Sequence, residues 1–106
     1  DTAKLDFPHL LVNFDKGCRW CLQFRPFYTQ ARLDAKAAKW NVTFAWLNMK
    51  NNPKSAAKYN VTHHPTQLLF IKNYPKSPIQ YYGTKNTKGL KEWLQTQLAK
   101  VKALGY

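Results

Sequence analysis

Leu10-Leu11-Val12-Asn13-Phe14, followed after three residues by Cys18-Arg19-Trp20-Cys21, is the stretch on which the reading of this chain turns. An apolar run of this length reads as a buried strand. The two cysteines are the only ones in the chain and stand two residues apart. From the second of them, Cys21, Phe24, Tyr28, Ala31, Ala35 and Ala38 recur at helical spacing, which predicts one face of a helix. Pro26 lies inside that pattern and should bend the helix. A strand that runs into a CxxC, with a helix behind it, is the layout of a thiol–disulfide redox site. A CxxC alone is weaker, since zinc sites use the same spacing.

Working outward, Val42 to Met49 reads as a second buried strand and Asn51-Asn52-Pro53 as a helix start, with a short helix over Ser55 to Tyr59. Thr66 to Lys72 is a third strand, Asn73 to Pro78 a turn, and Ile79 to Tyr82 a strand returning as a hairpin that Gly83 ends. Leu90, Trp93, Leu94, Leu98 and Val101 form the apolar stripe of a last helix, with Lys88, Lys91, Lys100 and Lys102 off it. Alternating elements followed by a hairpin give an α/β fold, a mixed central sheet with helices on both faces. Phe14, Phe24, Phe44, Phe70 and Trp93 are expected to face the core; Trp20, Trp40 and Trp46 are less clearly buried.

At 106 residues the chain is one domain with one core, residues 1–106. No stretch approaches the roughly 18 apolar residues of a membrane helix. The chain starts at Asp1 and ends Leu104-Gly105-Tyr106, without an initiating methionine or an ER-retention tetrapeptide, which reads as a processed chain or an excised domain. Seventeen Lys and Arg against five Asp and Glu give a formal charge of +12. These cations are scattered over every predicted element and make no nucleic-acid fingerprint, so a solvated basic surface is the plain reading and nucleic acid is not expected as a partner.

Four segments make the chain resemble a protein disulfide isomerase domain of the thioredoxin superfamily. They are the strand and CxxC already quoted; Phe24, Pro26 and Tyr28 behind it; Tyr59-Asn60-Val61-Thr62-His63-His64-Pro65-Thr66, similar to the family's Tyr-x-Val-x-x-x-Pro-Thr; and Tyr81-Tyr82-Gly83-Thr84-Lys85, similar to its Tyr-x-Gly-x-Arg. The resemblance covers about residues 10–102. It implies a thioredoxin-like three-layer α-β-α sandwich, trimmed of its usual first strand and helix, since only nine residues precede the first strand. It also implies a cis Pro65 that lies against the cysteines and receives substrate. The departures are Asn13 where the family buries a carboxylate, Gly17 where it has Trp, and Arg19-Trp20 where the isomerases have Gly-His. Asn48 stands where the family often has aspartate.

The nucleophile of disulfide exchange is a thiolate, and a helix N-terminus lowers a thiol pKa. Cys18 is then the attacking cysteine and Cys21 the resolving one. Arg19 adds a permanent charge, and Trp20 offers apolar surface to an unfolded client without titrating. Asn13 cannot act as a base, which predicts slow resolution; Asp15, two residues on, is the candidate substitute through water. His64, directly before Pro65, is a further candidate for tuning the thiolate. Two thiolates and His64, with His9, His63 or water, would also suit zinc or copper. The expectation adopted is no metal and no cofactor, because the exchange needs only the two cysteines.

Asn41-Val42-Thr43 and Asn60-Val61-Thr62 both fit the glycosylation sequon, making Asn41 and Asn60 candidate sites. Three functions remain open: a thiol–disulfide oxidoreductase or isomerase acting on protein or peptide thiols and disulfides, with glutathione or a redox protein as co-substrate; a redox-impaired binding or chaperone module; and a basic polyanion binder. The endoplasmic reticulum lumen or secretion is the expected compartment.

Overall fold

The computed structural model describes residues 9–15, 19–48, 53–58 and 65–106. The elements run β1 His9–Asp15, α1 Arg19–Ala37, β2 Thr43–Asn48, α2 Pro53–Lys58, β3 Thr66–Ile71, β4 Ile79–Gln80 and α3 Thr87–Ala103. The four strands form one sheet in the order β2-β1-β3-β4. β1 is parallel to β2 and antiparallel to β3, and β3 is antiparallel to β4. The parallel pair needs a crossover, which the 19-residue α1 supplies.

β1 lies between two strands, and its side chains are buried alternately on both faces of the sheet. One face carries Leu11 with Leu69 and Ile71, packed with Phe24, Tyr28 and Ala31 of α1 and with Leu90, Leu94 and Val101 of α3. Leu10, Val12, Phe14 and Leu68 form a second buried cluster. Both faces of β1 are thus buried, as its continuous apolar run requires. α1 and α3 pack side by side, and Lys91 Nζ meets Asp34 Oδ2 at 2.9 Å across them.

Several boundaries differ from the sequence expectation, each for a local reason. β2 is not fully buried: it is the outer strand of the described sheet, half-buried from Thr43 to Leu47; Val42 precedes it and Met49 lies outside the described residues. Ala38 is not on the buried stripe of α1. The helix stops at Ala37 because Lys39 adopts a left-handed conformation, φ 58°. Lys39 N–H then donates to Lys36 O at 3.1 Å and Trp40 N–H to Ala35 O at 3.0 Å, a Schellman closure without the usual glycine. α2 begins at Pro53 rather than Ser55 and ends at Lys58. β3 ends at Ile71, whose N–H donates to Ser77 Oγ at 2.8 Å, and Asn73 turns the chain with φ 66°. β4 keeps only Ile79 and Gln80; Tyr81 leaves the strand, buries its ring, and still donates its N–H to Gln67 O at 3.1 Å. Phe14 and Phe24 are in the core, whereas Phe44, Phe70 and Trp93 are half-buried at its margins.

α3 starts at Asn86, whose side-chain oxygen accepts from Gly89 N–H at 2.7 Å. Gly89 has no room for a side chain: a Cβ there would come 2.6 Å from the Tyr81 hydroxyl and 2.8 Å from Thr84 O. The Tyr81 hydroxyl donates to Thr84 O, which fixes the loop that carries Lys85.

Candidate functional site

α1 begins at the C-terminal end of β1, and its first turn holds Arg19, Trp20 and Cys21. Cys21 is fully buried and its sulfur is in a disulfide. Cys18, the chain's other cysteine, lies outside the described residues. Arg19 is exposed, and Trp20 is 67% exposed. The first turn of α1 contains no acidic side chain, so nothing there offsets the positive end of the helix dipole.

Pro65 is buried and directly precedes Thr66, which pairs with Phe14. That register sets Pro65 at the end of the sheet where α1 starts. His63, His64 and Asn60 lie outside the described residues, as does the His64–Pro65 peptide bond. The described cis bond is Ser77–Pro78, in the β3–β4 turn. His9 opens β1 at the far end of the strand, roughly 20 Å from Asp15 at the usual rise per residue. That distance separates His9 from the cysteine end of the sheet, and no group of three His, Cys, Asp or Glu placed to hold a metal ion occurs among the described residues.

Asn13 is fully buried on β1, directly opposite Gln67 on β3. Gln67 Nε2 donates to Asn13 Oδ1 at 2.5 Å, and Lys85 Nζ donates to Gln67 Oε1 at 2.5 Å. Although much of the Lys85 side chain is exposed, its ammonium reaches inward, 5.0 Å from the Tyr81 ring centre and 5.9 Å from that of Phe24. Withdrawal from water lowers its pKa from 10.5 to about 8. Asn13 is thus a hydrogen-bonded core amide at the end of a polar chain that starts from a cation. Asp15, the expected substitute base, instead accepts the indole N–H of Trp46 at 3.1 Å, and Arg25 lies 5.8 Å from the centre of that indole.

Tyr28 ties α1 to the strands below the site. Its hydroxyl lies 2.8 Å from both Leu11 O on β1 and Ala45 O on β2. Burial pushes the phenol pKa well up. Gln67, Lys85 and Tyr28 were not singled out as site residues from the sequence. Gln67 left a signal, a lone amide heading the apolar strand Leu68-Leu69-Phe70-Ile71. Lys85 occupied the basic position of the Tyr-x-Gly-x-Arg segment. Asn41 is exposed, in the turn before β2.

The family model described as thioredoxin matches residues 3–96. The chain belongs to the thioredoxin family. Among its thioredoxin relatives, human protein disulfide-isomerase A2 is 29% identical over 97 residues, covering 91% of this chain and 18% of the relative. Protein disulfide isomerase-like 1-4 of Oryza sativa subsp. japonica is 29% identical over 92 residues, covering 86% of this chain and 16% of the relative. The chain therefore spans less than a fifth of the curated relatives it matches. In structure it is similar to human ERp44 form II, with a TM-score of 0.79, 25% identity, and coverage of 92% of this chain and 29% of that one. The first thioredoxin domain of mouse protein disulfide-isomerase A4 gives a TM-score of 0.76 at 20% identity, covering 88% of this chain and 65% of that one. The thioredoxin-like fold and the likeness to disulfide isomerase domains expected from the sequence are both present. No described helix is long and apolar enough to cross a membrane.

Proposed function

We propose that this domain is a thiol–disulfide oxidoreductase or isomerase acting on protein substrates, with Cys18 as nucleophile and Cys21 as resolving thiol. The observation that carries the reading is a buried, disulfide-bonded Cys21 in the first turn of a helix that has no acid to oppose its dipole. Attack of the Cys18 thiolate on a client disulfide forms a mixed disulfide and releases one client thiolate. Attack of the Cys21 thiolate on Cys18 Sγ then releases the second and closes the pair. Two electrons pass from the protein dithiol to the client, and the departing thiolates take up the protons. The reverse sequence hands a disulfide to a client dithiol. Pro65 and the exposed Trp20 are assigned to the client, Arg19 and His64 to tuning the Cys18 thiolate, and glutathione or a redox protein to recycling.

One observation favours a second reading, a client-binding module with little turnover. Asn13 supplies no base for Cys21, while Trp20, Leu22 and Phe27 expose apolar surface along the start of α1 at 67%, 63% and 41%. Trapping separates the two. Cys21→Ser incubated with a disulfide-containing unfolded protein should accumulate a covalent complex through Cys18 that reductant releases, and Cys18→Ser should give none. No complex from Cys21→Ser favours the binding module. The relatives named as disulfide isomerases support the endoplasmic reticulum lumen as the compartment. There Asn41 would be open to glycosylation, tested by an endoglycosidase-sensitive mass lost in Asn41→Gln.

A further inference from the structure

The cations of α1 are not spread around the helix. Arg25, Arg32 and Lys36 stand seven and four residues apart, a spacing that stacks them on one side. Lys39, in the left-handed turn that closes the helix, lines the same cavity as Arg32 and Lys36. All four are exposed. Asp34, the one acid of the helix, is on the other flank, where it meets Lys91 of α3.

The cationic side faces β2 and forms a groove with it. A cavity of about 280 Å³ lies between Arg25 and Arg32 on the helix and Phe44 and Trp46 on the strand. A second, of about 440 Å³, continues from Arg32 and Phe44 to Lys36, Lys39 and Trp40. No carboxylate lines either cavity. Asp15, at the end of β1, is engaged by the Trp46 indole N–H at 3.1 Å. Like charges so gathered repel one another, and an anion between them relieves that repulsion. Along the helix, Arg25 and Lys36 are roughly 16 Å apart, a length that an extended peptide covers with about five residues.

We propose that this groove binds an acidic segment of another polypeptide in extended form, its carboxylates meeting Arg25, Arg32, Lys36 and Lys39 and its intervening side chains resting against Phe44 and Trp46. Charge alone would also suit a nucleic acid or a sulfated polysaccharide. A single strand of nucleic acid needs free aromatic faces on which to stack. Here Arg25 lies over the Trp46 ring at 5.8 Å and Tyr28 packs against it at 5.4 Å, while Phe44 packs on Tyr28 at 5.3 Å. These rings are walls of the groove, not open platforms. A sulfated sugar chain has no apolar side chains and would leave the two cavities unfilled. An acidic peptide uses both the cations and the cavities. Arginine, at two of the four positions, takes a carboxylate with two parallel N–H donors. Arg25 stands one turn beyond Cys21, so the groove leads away from the disulfide and docking does not require the pair to react.

The probe is a fluorescein-labelled peptide of about six residues alternating Glu and Tyr, with a Lys–Tyr peptide of the same length as control. Anisotropy should show saturable binding of the acidic peptide that weakens as salt rises, and no binding of the basic one. Arg32→Gln combined with Lys36→Gln should weaken binding about tenfold. Lys76→Gln combined with Lys88→Gln removes the same charge from exposed positions outside the groove and should leave binding within about twofold. Equal weakening by the two pairs would reduce the effect to net charge and overturn the inference, as would failure of the acidic peptide to bind. An oligothymidylate or a heparin fragment that binds more tightly than the peptide, with the same dependence on Arg32 and Lys36, would assign the groove to that polyanion and overturn it too. Binding is read with the disulfide closed, so its outcome is separate from whether the pair cycles.

Discussion

Replacing Tyr28 with Phe removes one oxygen and leaves the ring in place. The ring keeps its contacts with Phe24, Phe44 and Trp46, at centroid distances of 6.0, 5.3 and 5.4 Å, so the change isolates the hydroxyl. That hydroxyl is 2.8 Å from two backbone carbonyls but has one proton to share between them. The net loss of one hydrogen bond is about 1 kcal/mol, and leaving a buried carbonyl lone pair unfilled raises the total to about 2 kcal/mol. With a urea slope of about 1–3 kcal/mol/M for a small domain, the midpoint of the oxidised protein should fall by about 1 M. A second signature follows from the raised phenol pKa. Above its ordinary pKa the unfolded tyrosine loses its proton while the folded one keeps it. Its stabilisation is therefore complete below pH 10 and declines as pH rises beyond it. Tyr28→Phe should lack that alkaline decline. Urea unfolding at pH 7 and pH 10.5 measures both. A midpoint change under about 0.2 M at pH 7, with the alkaline decline intact, would show that Tyr28 does not join α1 to the β1–β2 pair as described.

Leu94→Ala empties a fully buried position between α3 and the sheet and should destabilise by about 2–4 kcal/mol in the same assay. Asn86→Ala removes the acceptor for Gly89 N–H and should lower stability by about 1 kcal/mol, with faster amide exchange confined to the first turn of α3. Lys85 gives an opposite pH dependence to Tyr28. Its folded pKa of about 8 lies below the ordinary 10.5, so between those values the unfolded chain holds the extra proton. Stability should rise over that window relative to Lys85→Met, and the difference between the two proteins should be flat below pH 8. A difference that stays constant from pH 7 to pH 10 would place the Lys85 ammonium in water.

The parts of the fold legible in the sequence were those written as periodicity. The apolar run of β1 and the Cys21-Phe24-Tyr28-Ala31-Ala35 stripe each bury as their spacing dictates, because a strand between two others and a helix lying on a sheet answer to one dominant force. Element ends were less legible. Lys39 takes a left-handed conformation with nothing in its side chain to announce it, and β2 reads as apolar although it lies at the sheet's edge. Asn13 was visible as a departure from a buried acid, but its meaning was not. Its chemistry depends on Gln67 and Lys85, 54 and 72 positions away, brought together by the β1–β3 register and the Tyr81 loop. Spacing along the chain carries no trace of such a polar chain. Its polarity is set by the one member that can only donate.

The most direct test of the central claim is a redox titration of the purified protein through glutathione buffers, counting free thiols by alkylation and mass. The expected result is a reversible two-thiol transition at the oxidising end of the thioredoxin range, at about −180 mV rather than about −270 mV. A pair that stays oxidised below about −300 mV, or that never closes, would contradict it and leave a thioredoxin-fold binding module in its place.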